Sequence, residues 1–547
     1  MPPQLAAVDL RREDNDSLMR VSIPRNEPVA SVPPAPLGRR IASVAAVLVP
    51  LLVVAVGLWA TRSTAPSSEG AGANAAAEGG RVDPLEGARS SSPRAVVPPA
   101  TPPVLRLCGS NTIGAELAPA LVEAFLADKG GGDIARKRGS EADSISIGAK
   151  LGGQPLQVEI HAGGTATAFS GLADGSCDIG MASRAIQAPE ADKLRERGHG
   201  DLRTSATEHV IALDGIAVIV HPDNPVRTLD RSALQDIFSG RTTDWSYLGG
   251  TPGPIKVLAR DGKSGTHDTF KQLVLGGGAI TSAAQRFASS EALSDAVASE
   301  PAAIGFVGFA YVRAARALAV GESGAAPMLP SLFTVGTESY MLSRRLYLYT
   351  LPRPRTPWVT ELVSFALSRR AQDVVTKNQF IGLGVSLQSA SCEQGCPDAY
   401  KQLVANAARA SLDFRFRSGS NDPDSRARRD LERLVSYLAE LRASKVLLLG
   451  FSDNQGSGVV NEKLSLARAQ AVEQELALRG VHAAKVRGFG AAMPVAANNT
   501  EDGRQRNRRV EVWGRALRRA LRAYCRCGGA AAAASPSRAA ACDPRTS

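Results

Sequence analysis

Apolar residues between 411 and 515 follow two different periods. LDFRFR (412–417) alternates apolar and polar positions, as a strand with one buried face does, and VLLLGF (446–451) is a short apolar run typical of a buried strand. Two stripes at helical spacing accompany them: Leu431, Leu434, Val435, Leu438 and Leu441 before the second run, and Leu464, Ala467 and Ala471 after it. The order strand, helix, strand, helix, strand predicts an α/β sandwich.

A different pattern occurs three times between residues 103 and 391. An apolar run leads into a turn of Gly, Ser and Thr and then into a helical pattern: LRLCGSNT (105–112), LQVEIHAGGT (156–165) and IKVLARDGKSGT (255–266). Each turn brings backbone N–H groups and hydroxyls to the N-terminus of a helix, where the helix dipole favours a negative charge. With Arg260 at the start of the third turn, the repetition predicts a site for a tetrahedral oxyanion.

Six segments of this region follow one another in a fixed order: GSNTIG (109–114), CDIGMASR (177–184), the stretch 214–250, ARDGKSGTHDTF (259–270), AIGFVGFAYV (303–312) and RRLYLYT (344–350). In type and order they resemble those of PstS-like periplasmic phosphate-binding proteins. The resemblance implies a two-lobed type II periplasmic-binding fold over 103–391, with lobes at 103–213 plus 343–391 and at 214–342. It also implies that phosphate lies in the cleft, held by Ser110, Thr112, Gly164, Thr165, Ser183, Arg260, Ser264, Gly265 and Thr266.

The third loop departs from this family. Many phosphate-binding members place an Asp there to accept the proton of hydrogen phosphate, whereas this chain has Met181-Ala182-Ser183-Arg184. A buried acceptor rejects a fully ionised anion because the acceptor would be left unpaired. The expected ligand is therefore phosphate or a related oxyanion. Asp178 and Asp261 remain nearby as alternative acceptors, but each also has a structural interpretation: Asp178 caps a strand end, and Asp261 orients Arg260.

The C-terminal region 411–515 carries a second set of polar and small residues at characteristic spacing: Asp453, Asn461, Leu464, Ser465, Arg468, Pro494, Asn498, Gly503, Arg504, Asn507, Arg508 and Arg509. At these positions the region is similar to OmpA-like peptidoglycan-binding domains. The resemblance implies that Asp453 and Arg468 bind the ammonium and carboxylate of a diaminopimelate stem, with Asn461 on the same side of the helix as Arg468. A carboxylate and a guanidinium suit such a zwitterion. The alternative is a surface ion pair.

The N-terminal part of the chain predicts a membrane anchor. IASVAAVLVPLLVVAVGLWA (41–60) has no charged residue and is long enough to cross ~30 Å of hydrocarbon as a helix. Residues 1–40 are then a cytoplasmic disordered leader, and 61–102, rich in Ala, Gly, Pro and Ser, are a linker. A cleaved signal peptide is the alternative, which the long leader disfavours. A junction (392–410) and a basic, Ala-rich tail (516–547) complete the domain organisation.

Composition narrows the partners. The net charge of +11 would ordinarily suggest nucleic acid, but the Arg residues are scattered and no nucleic-acid-binding motif is present, so no nucleic-acid partner is expected. Among the 7 Cys, Cys392 and Cys396 are close enough in sequence to form a small loop, whereas Cys108 and Cys177 are expected to be buried thiols. The 6 His do not cluster, and neither a cofactor nor a metal is expected.

These expectations describe a substrate-binding protein tethered to the bacterial inner membrane by one helix, with its main domains in the periplasm. It would bind phosphate or a similar oxyanion for uptake or sensing, with an ABC transporter permease as a further partner, and attach to peptidoglycan. The alternative is a structural tether between membrane and wall whose ligand site is vestigial. An enzyme is not expected, because no general base or metal ligand accompanies Ser264 or Thr266.

Overall fold

The computed structural model describes residues 105–139, 143–262, 264–390, 395–416, 420, 422–441 and 445–515. The predicted leader, membrane helix, linker and tail lie outside these ranges. Within them, no helix combines the length and apolarity that spanning a bilayer requires. The described residues belong to one compact unit and have a mixed α/β fold. They form a two-lobed domain (105–386) and a C-terminal domain (387–515).

Lobe one begins the two-lobed domain, and its strands lie in the order β2-β3-β4-β1-β5. Its first elements are β1 (Leu105–Gly109), α1 (Ala118–Asp128), β2 (Gly132–Arg138), β3 (Ser144–Leu151), β4 (Gln154–His161), α2 (Thr165–Asp174), β5 (Ile179–Ala182) and α3 (Ala188–Glu196). Because β1 runs parallel to both β4 and β5, the carboxyl ends of all three strands meet at one edge of the sheet.

Lobe two continues the same sheet beyond a long strand, β6 (Glu208–Val220). Its elements are β7 (Thr228–Asp230), α4 (Arg231–Ser239), β8 (Lys256–Arg260), α5 (Gly265–Leu275), β9 (Gln285–Phe287), α6 (Ser290–Ser299), β10 (Ala303–Gly308), β11 (Arg316–Ala317), β12 (Ala319–Gly321) and α7 (Leu332–Gly336). The three predicted strand–turn–helix segments, or cassettes, are confirmed, since β1, β4 and β8 each lead through a turn into a helical segment.

Two antiparallel strands connect the lobes. β6 leaves lobe one, and β13 (Ser343–Thr350) returns to it, with Ser343 paired to Gly215 and Arg344 to Asp214. This register places the two crossings side by side, where the resemblance implied a hinge near 214 and 343. Helices α8 (Pro357–Ala366) and α9 (Arg369–Lys377) then pack on lobe one.

The C-terminal domain is a five-stranded sheet in the order β14-β15-β18-β16-β17. Its elements are β14 (Leu387–Ser389), α10 (Asp398–Val404), β15 (Ala407–Arg415), α11 (Ser425–Glu440), β16 (Lys445–Gly450), α12 (Gly458–Ala477), β17 (His482–Gly488), α13 (Glu501–Asn507) and β18 (Arg509–Arg515). The sheet thus begins N-terminal to the expected start at 411. Leu412, Phe414 and Leu448 pack toward α11 and α12, whereas Leu447 and Trp513 pack toward α10.

The two helical stripes predicted in this domain have different outcomes. In α11, Leu431, Leu434 and Leu438 are buried, as the periodicity predicts. In α12, the expected stripe is wrong, because Leu464, Ala467 and Ala471 are only partly buried. The buried side of α12 consists instead of Asn461, Ser465, Arg468, Ala469, Val472 and Leu476. Half of that side is polar, so apolar periodicity alone points to the wrong face.

The expectation of buried thiols at Cys108 and Cys177 is also wrong. The two side chains form a disulfide, which joins the end of β1 to the residue two positions before β5. These strands are neighbours in the sheet, so their ends lie close enough to be bridged. Cys396 is disulfide-bonded as well, while Cys392 lies outside the described residues.

The C-terminal domain packs against the two-lobed domain through a buried charge network. Glu338, just after α7, receives Arg345 from β13 and Arg426 from α11, the latter with Nη1 2.8 Å from Oε1. Arg415 Nε lies 3.7 Å from the other carboxylate oxygen. Burial would raise the pKa of the Glu338 carboxyl, but the three arginines together hold it well below its usual range. Glu338 therefore stays ionised in the interface.

Contacts of the C-terminal domain reach both lobes. On lobe one, Arg429 Nη2 donates to the Ser205 carbonyl at 3.0 Å and to His209 Nδ1 at 2.7 Å. On lobe two, Arg415 Nη2 donates to the Thr337 carbonyl at 2.6 Å, and the backbone N–H of Ala497 donates to Glu322 Oε2 at 2.9 Å. The C-terminal domain therefore straddles the hinge.

His209 makes this interface sensitive to pH. Its Nδ1 must accept from Arg429, because a guanidinium can only donate, so the ring is neutral. Burial, together with the Arg429 charge, lowers the pKa of His209 to about 4. As pH falls from about 6.5 toward 4, the unfolded chain gains a proton at this position before the folded chain does. The contribution of His209 to stability is thus complete above about pH 6.5 and declines below it.

We expect His209→Gln to remove this pH-dependent contribution to stability while retaining a hydrogen-bond acceptor for Arg429. The full chain should lose up to about 3 kcal/mol of unfolding free energy between pH 7 and pH 4 through this one group, and the variant should lose correspondingly less. Urea denaturation at a series of pH values measures the difference. Parallel pH profiles for the two proteins would contradict the assignment.

Candidate functional site

Three loops of lobe one converge on a cavity of about 530 Å³. Ser110 and Thr112 follow β1, Gly164 and Thr165 follow β4, and Ser183 follows β5. All five line the cavity, and their role in binding phosphate stays a prediction. They meet because parallel strands β4, β1 and β5 end at the same edge of the sheet.

Hydrogen bonds between the loops fix their positions. The Ser110 N–H donates to the Met181 carbonyl and the Gly164 N–H to the Gly109 carbonyl, both at 2.8 Å. The hydroxyls of Thr165 and Ser183 lie 3.0 Å apart, and the Ser183 N–H donates to Thr165 Oγ1 at 3.1 Å. The hydroxyl groups are thus held in place before any ligand binds, which lowers the entropic cost of binding.

The third cassette contributes differently from the expectation. Gly265 packs directly on Thr112, since a Cβ at Gly265 would lie 2.2 Å from Thr112 Oγ1. Ser264, Gly265 and Thr266 are not among the lining residues; lobe two lines the cavity with the next turns of α5, through Asp268, Thr269, Gln272 and Leu273. The three residues of the turn remain predicted ligand-binding residues.

Arg260 does not line the cavity either. Its Nη1 donates to Ser290 Oγ at 2.6 Å and its Nη2 to the Ala288 carbonyl at 3.0 Å. Its Nε is buried and has no hydrogen-bond partner. Its role in binding stays a prediction.

Arg344 is one of several arginines that line the cavity, and its sequence position alone predicts no role for it. Its Nη2 donates to Thr112 Oγ1 at 2.7 Å and to the Gly265 carbonyl at 3.2 Å, and its Nε donates to Asp214 Oδ2 at 3.1 Å. The side chain is 11% exposed and lines the cavity. Burial lowers the pKa of Arg344 although Asp214 opposes the shift, and the guanidinium stays charged. Its segment, RRLYLYT, carried the resemblance, but only the pairing of β13 with β6 shows what it faces.

Carboxylates are scarce around the three loops. Asp178 accepts from Arg106 through both oxygens and is a structural partner at the strand end, as expected. Arg184 is held by Glu190 through two hydrogen bonds of 2.7 and 2.8 Å. The carboxylates that line the cavity lie elsewhere, at Asp268, Glu338 and Asp502. Within the described ranges, no group of His, Cys, Asp or Glu is placed to hold a metal ion.

The predicted site of the C-terminal domain contains a carboxylate with its own cation. Asp453, in the loop after β16, accepts from Arg508 Nη1 at 2.8 Å and from the Gln455 N–H at 3.0 Å. Arg508 also donates to Glu501. Arg509 is buried against Glu511. Arg508 and Arg509 are therefore paired inside the fold, which argues against nonspecific adhesion through these two residues.

Arg468 and Asn461 present unused hydrogen-bonding atoms on the buried side of α12. Arg468 is 1% exposed, and its Nε and Nη1 have no hydrogen-bond partner; Asn461 Oδ1 has none either. Burial and the nearby Arg508 charge lower the pKa of Arg468 to about 10. Buried donors and acceptors without partners are rare in folded proteins. Unpaired donors beside Asp453 suit a ligand that carries a carboxylate.

Two family models match separate parts of the chain. Residues 149–370 match the PBP superfamily domain, and residues 415–508 match the OmpA family. The chain therefore contains a domain of each kind, and the PBP match covers most of the two-lobed domain described above. The resemblances drawn from the sequence are confirmed at this level.

Individual proteins are similar to separate parts of this chain. The phosphate-binding protein PstS of Bacillus subtilis is 26% identical over 249 residues, covering 43% of this chain and 79% of that protein. PstS of Pseudomonas aeruginosa is 28% identical over 245 residues, covering 42% and 75%. The crystal structure of the peptidoglycan-associated lipoprotein from Burkholderia pseudomallei matches with 24% identity and a TM-score of 0.18, over 20% of this chain and 92% of that one.

The first loop depends on a glycine, which gives a test of the site's framework. Gly109 has φ of 137°, and a Cβ there would lie 2.0 Å from the Met181 carbonyl oxygen. We expect Gly109→Ala to lower the unfolding free energy by more than about 3 kcal/mol, because strain and backbone collision add. Gly130→Ala is the matched control: Gly130 has φ of 76° with open space around it, so only about 1–2 kcal/mol should be lost. Urea denaturation compares the two, and equal losses would contradict the role of Gly109.

Proposed function

We propose that this chain, with its PBP superfamily domain and its OmpA family domain, is a receptor for phosphate or a closely related oxyanion that attaches to peptidoglycan. The observation that carries the proposal is the convergence of three hydroxyl-bearing loops and Arg344 on one cavity between two lobes. Neutral donors around a largely buried cation suit a tetrahedral anion. The names of the PstS relatives support phosphate as the anion.

Binding would follow from charge and preorganisation. Hydroxyls of Ser110, Thr165 and Ser183 would donate to the oxyanion from positions that the loop contacts already fix. Arg344 would supply a positive charge where the two lobes touch, and Arg260 would add a second if it left Ser290. Charge-assisted hydrogen bonds in a water-excluded cleft are the strong ones. The oxyanion would thereby hold the lobes together.

Attachment to the wall would use the C-terminal pocket. Arg468, with its unpartnered Nε and Nη1, would bind the carboxylate of a diaminopimelate stem, and Asp453 would bind the ammonium. Asn461 Oδ1, which has no hydrogen-bond partner, would accept a hydrogen bond from the same ammonium group. Asp453 already accepts a hydrogen bond from Arg508, so the ammonium would share the carboxylate with that guanidinium. The OmpA family match supports this assignment.

The location follows from the same assignments. Peptidoglycan lies outside the cytoplasm, so both described domains would be extracytoplasmic, and the charge-free segment 41–60 would tether them to the inner membrane. A permease would be a further partner if the receptor serves uptake, whereas a sensor would need none.

The first test removes the cations of the cleft one at a time. Arg344→Gln and Arg260→Gln should each weaken phosphate binding by the full chain at least ~30-fold, because each removes a charge-assisted contact worth ~2 kcal/mol or more. Arg344→Lys, which keeps the charge, should recover part of the loss. Arg241→Gln removes an exposed charge beside Asp236, away from the cavity, and serves as the control. Isothermal titration calorimetry measures each protein after circular dichroism confirms its fold.

The two losses need not agree, and each result is informative. A loss confined to Arg344→Gln would mean that Arg260 stays with Ser290. A loss confined to Arg260→Gln would make Arg344 a hinge residue. If the wild-type chain binds neither phosphate, arsenate nor sulfate while it still binds the wall, the receptor is refuted and the structural tether replaces it.

The second test concerns the wall. Asp453→Ala and Arg468→Ala should each abolish sedimentation of the chain with purified sacculi, since removing one charge leaves the other unmatched against the zwitterion. The double variant should lose little more than either single variant. Arg479→Ala, which removes a charge paired with Glu432 and Glu475, is the control. Binding that survives both substitutions but disappears in high salt would show that nonspecific basic adhesion is responsible.

A further inference from the structure

The cavity is larger than an inorganic oxyanion needs. At about 530 Å³ it lies within the range of roughly 300–1,000 Å³ that is typical of sites for organic ligands. The hydroxyl loops occupy only one part of its lining. Space therefore remains beyond the position where a phosphoryl group would sit.

The remaining lining comes in part from the C-terminal domain. Arg415 at the end of β15 and Asp502, Gln505 and Arg506 of α13 line the same cavity as Ser110 and Thr165. Arg506 is held near the hinge by the Tyr340 carbonyl, 3.4 Å from Nη1, and by Asp502, 3.0 Å from Nη2. The site is thus composite, with one wall supplied by a different domain.

Arg415 shows what this wall is suited to bind. Its side chain is 2% exposed, and its Nε and Nη1 have no hydrogen-bond partner. Its carboxylate neighbours, Glu338 and Asp413, are each 3.7 Å away, beyond hydrogen-bonding distance, and Glu338 is already bonded to Arg345. Burial lowers the pKa of Arg415 to about 10 despite those two acids. Since Nη2 already donates to the Thr337 carbonyl, Nε and Nη1 are the two nitrogens of this buried guanidinium that lack an acceptor.

We propose that the cavity binds an organic phosphate with a second anionic group, the phosphoryl group lying at the hydroxyl loops and the second group at Arg415 and Arg506. The inference rests on the proposed function, because it takes the phosphoryl position from it. Two anchors across a domain boundary would make recognition depend on the length of the ligand as well as on its charge. A carboxylate or second phosphoryl supplies the acceptors that Arg415 lacks.

Calorimetry of the full chain in detergent tests this with matched probes. 3-Phosphoglycerate is compared with glycerol 3-phosphate, and 6-phosphogluconate with glucitol 6-phosphate, since each pair differs only by a carboxylate in place of a hydroxymethyl group. At least one carboxylate-bearing probe should bind at least ~10-fold more tightly than its partner, or ~1.4 kcal/mol. Arg506→Gln should reduce that ratio to about threefold or less, and Arg479→Gln, away from the cavity, should leave it unchanged.

The outcomes separate this inference from the function on which it rests. If inorganic phosphate binds but neither carboxylate-bearing probe gains over its partner, the composite site is refuted and the phosphate receptor stands. If a gain appears but survives Arg506→Gln, the second anchor lies elsewhere and the proposal fails. If neither phosphate nor any probe binds, the proposed function itself is overturned.

Discussion

A carboxylate among three arginines holds the two described domains together. Glu338 of lobe two receives Arg345 from the hinge strand and Arg415 and Arg426 from the C-terminal domain. An ion in such a place is costly unless it is matched, so loss of Glu338 would take the shared counter-charge from three buried guanidinium groups. The backbone at Glu338 is left-handed, with φ of 56°, which costs a non-glycine residue about 1–2 kcal/mol. The contacts with the arginines offset that strain and favour one packing position of the C-terminal domain.

The packing position of the C-terminal domain is coupled to the geometry of the cleft between the lobes. Because the C-terminal domain contacts Ser205 and His209 on one lobe and Glu322 and Thr337 on the other, a rotation of the lobes about β6 and β13 has to change contacts on at least one side. Opening of the cleft and the position of the C-terminal domain are therefore linked. The two domains are therefore not structurally independent, although the two family matches cover separate parts of the sequence.

Much of each domain could be predicted from local pattern, whereas the relation between domains could not. Strand-to-turn-to-helix cassettes place Ser110, Thr165 and their neighbours correctly because parallel topology brings their ends together. Periodicity fails where a buried side is polar, as at Ser465 and Arg468 of α12. Arginines such as Arg345 and Arg415 look like solvated charges in a sequence, since their burial depends on a partner that lies far along the chain. Arg344 was missed for the same reason.

The disulfide between Cys108 and Cys177 has a consequence for how the protein matures. It links the end of β1 to the residue two positions before β5, and it spans 69 residues of chain. In the simplest entropy model, closing a loop of that length lowers the entropy of the unfolded chain and so raises its free energy by about 4 kcal/mol. The bond forms and persists where thiols become oxidised, outside a reducing cytosol. In the proposed extracytoplasmic location, the chain would reach its full stability only after export, when this bond can form.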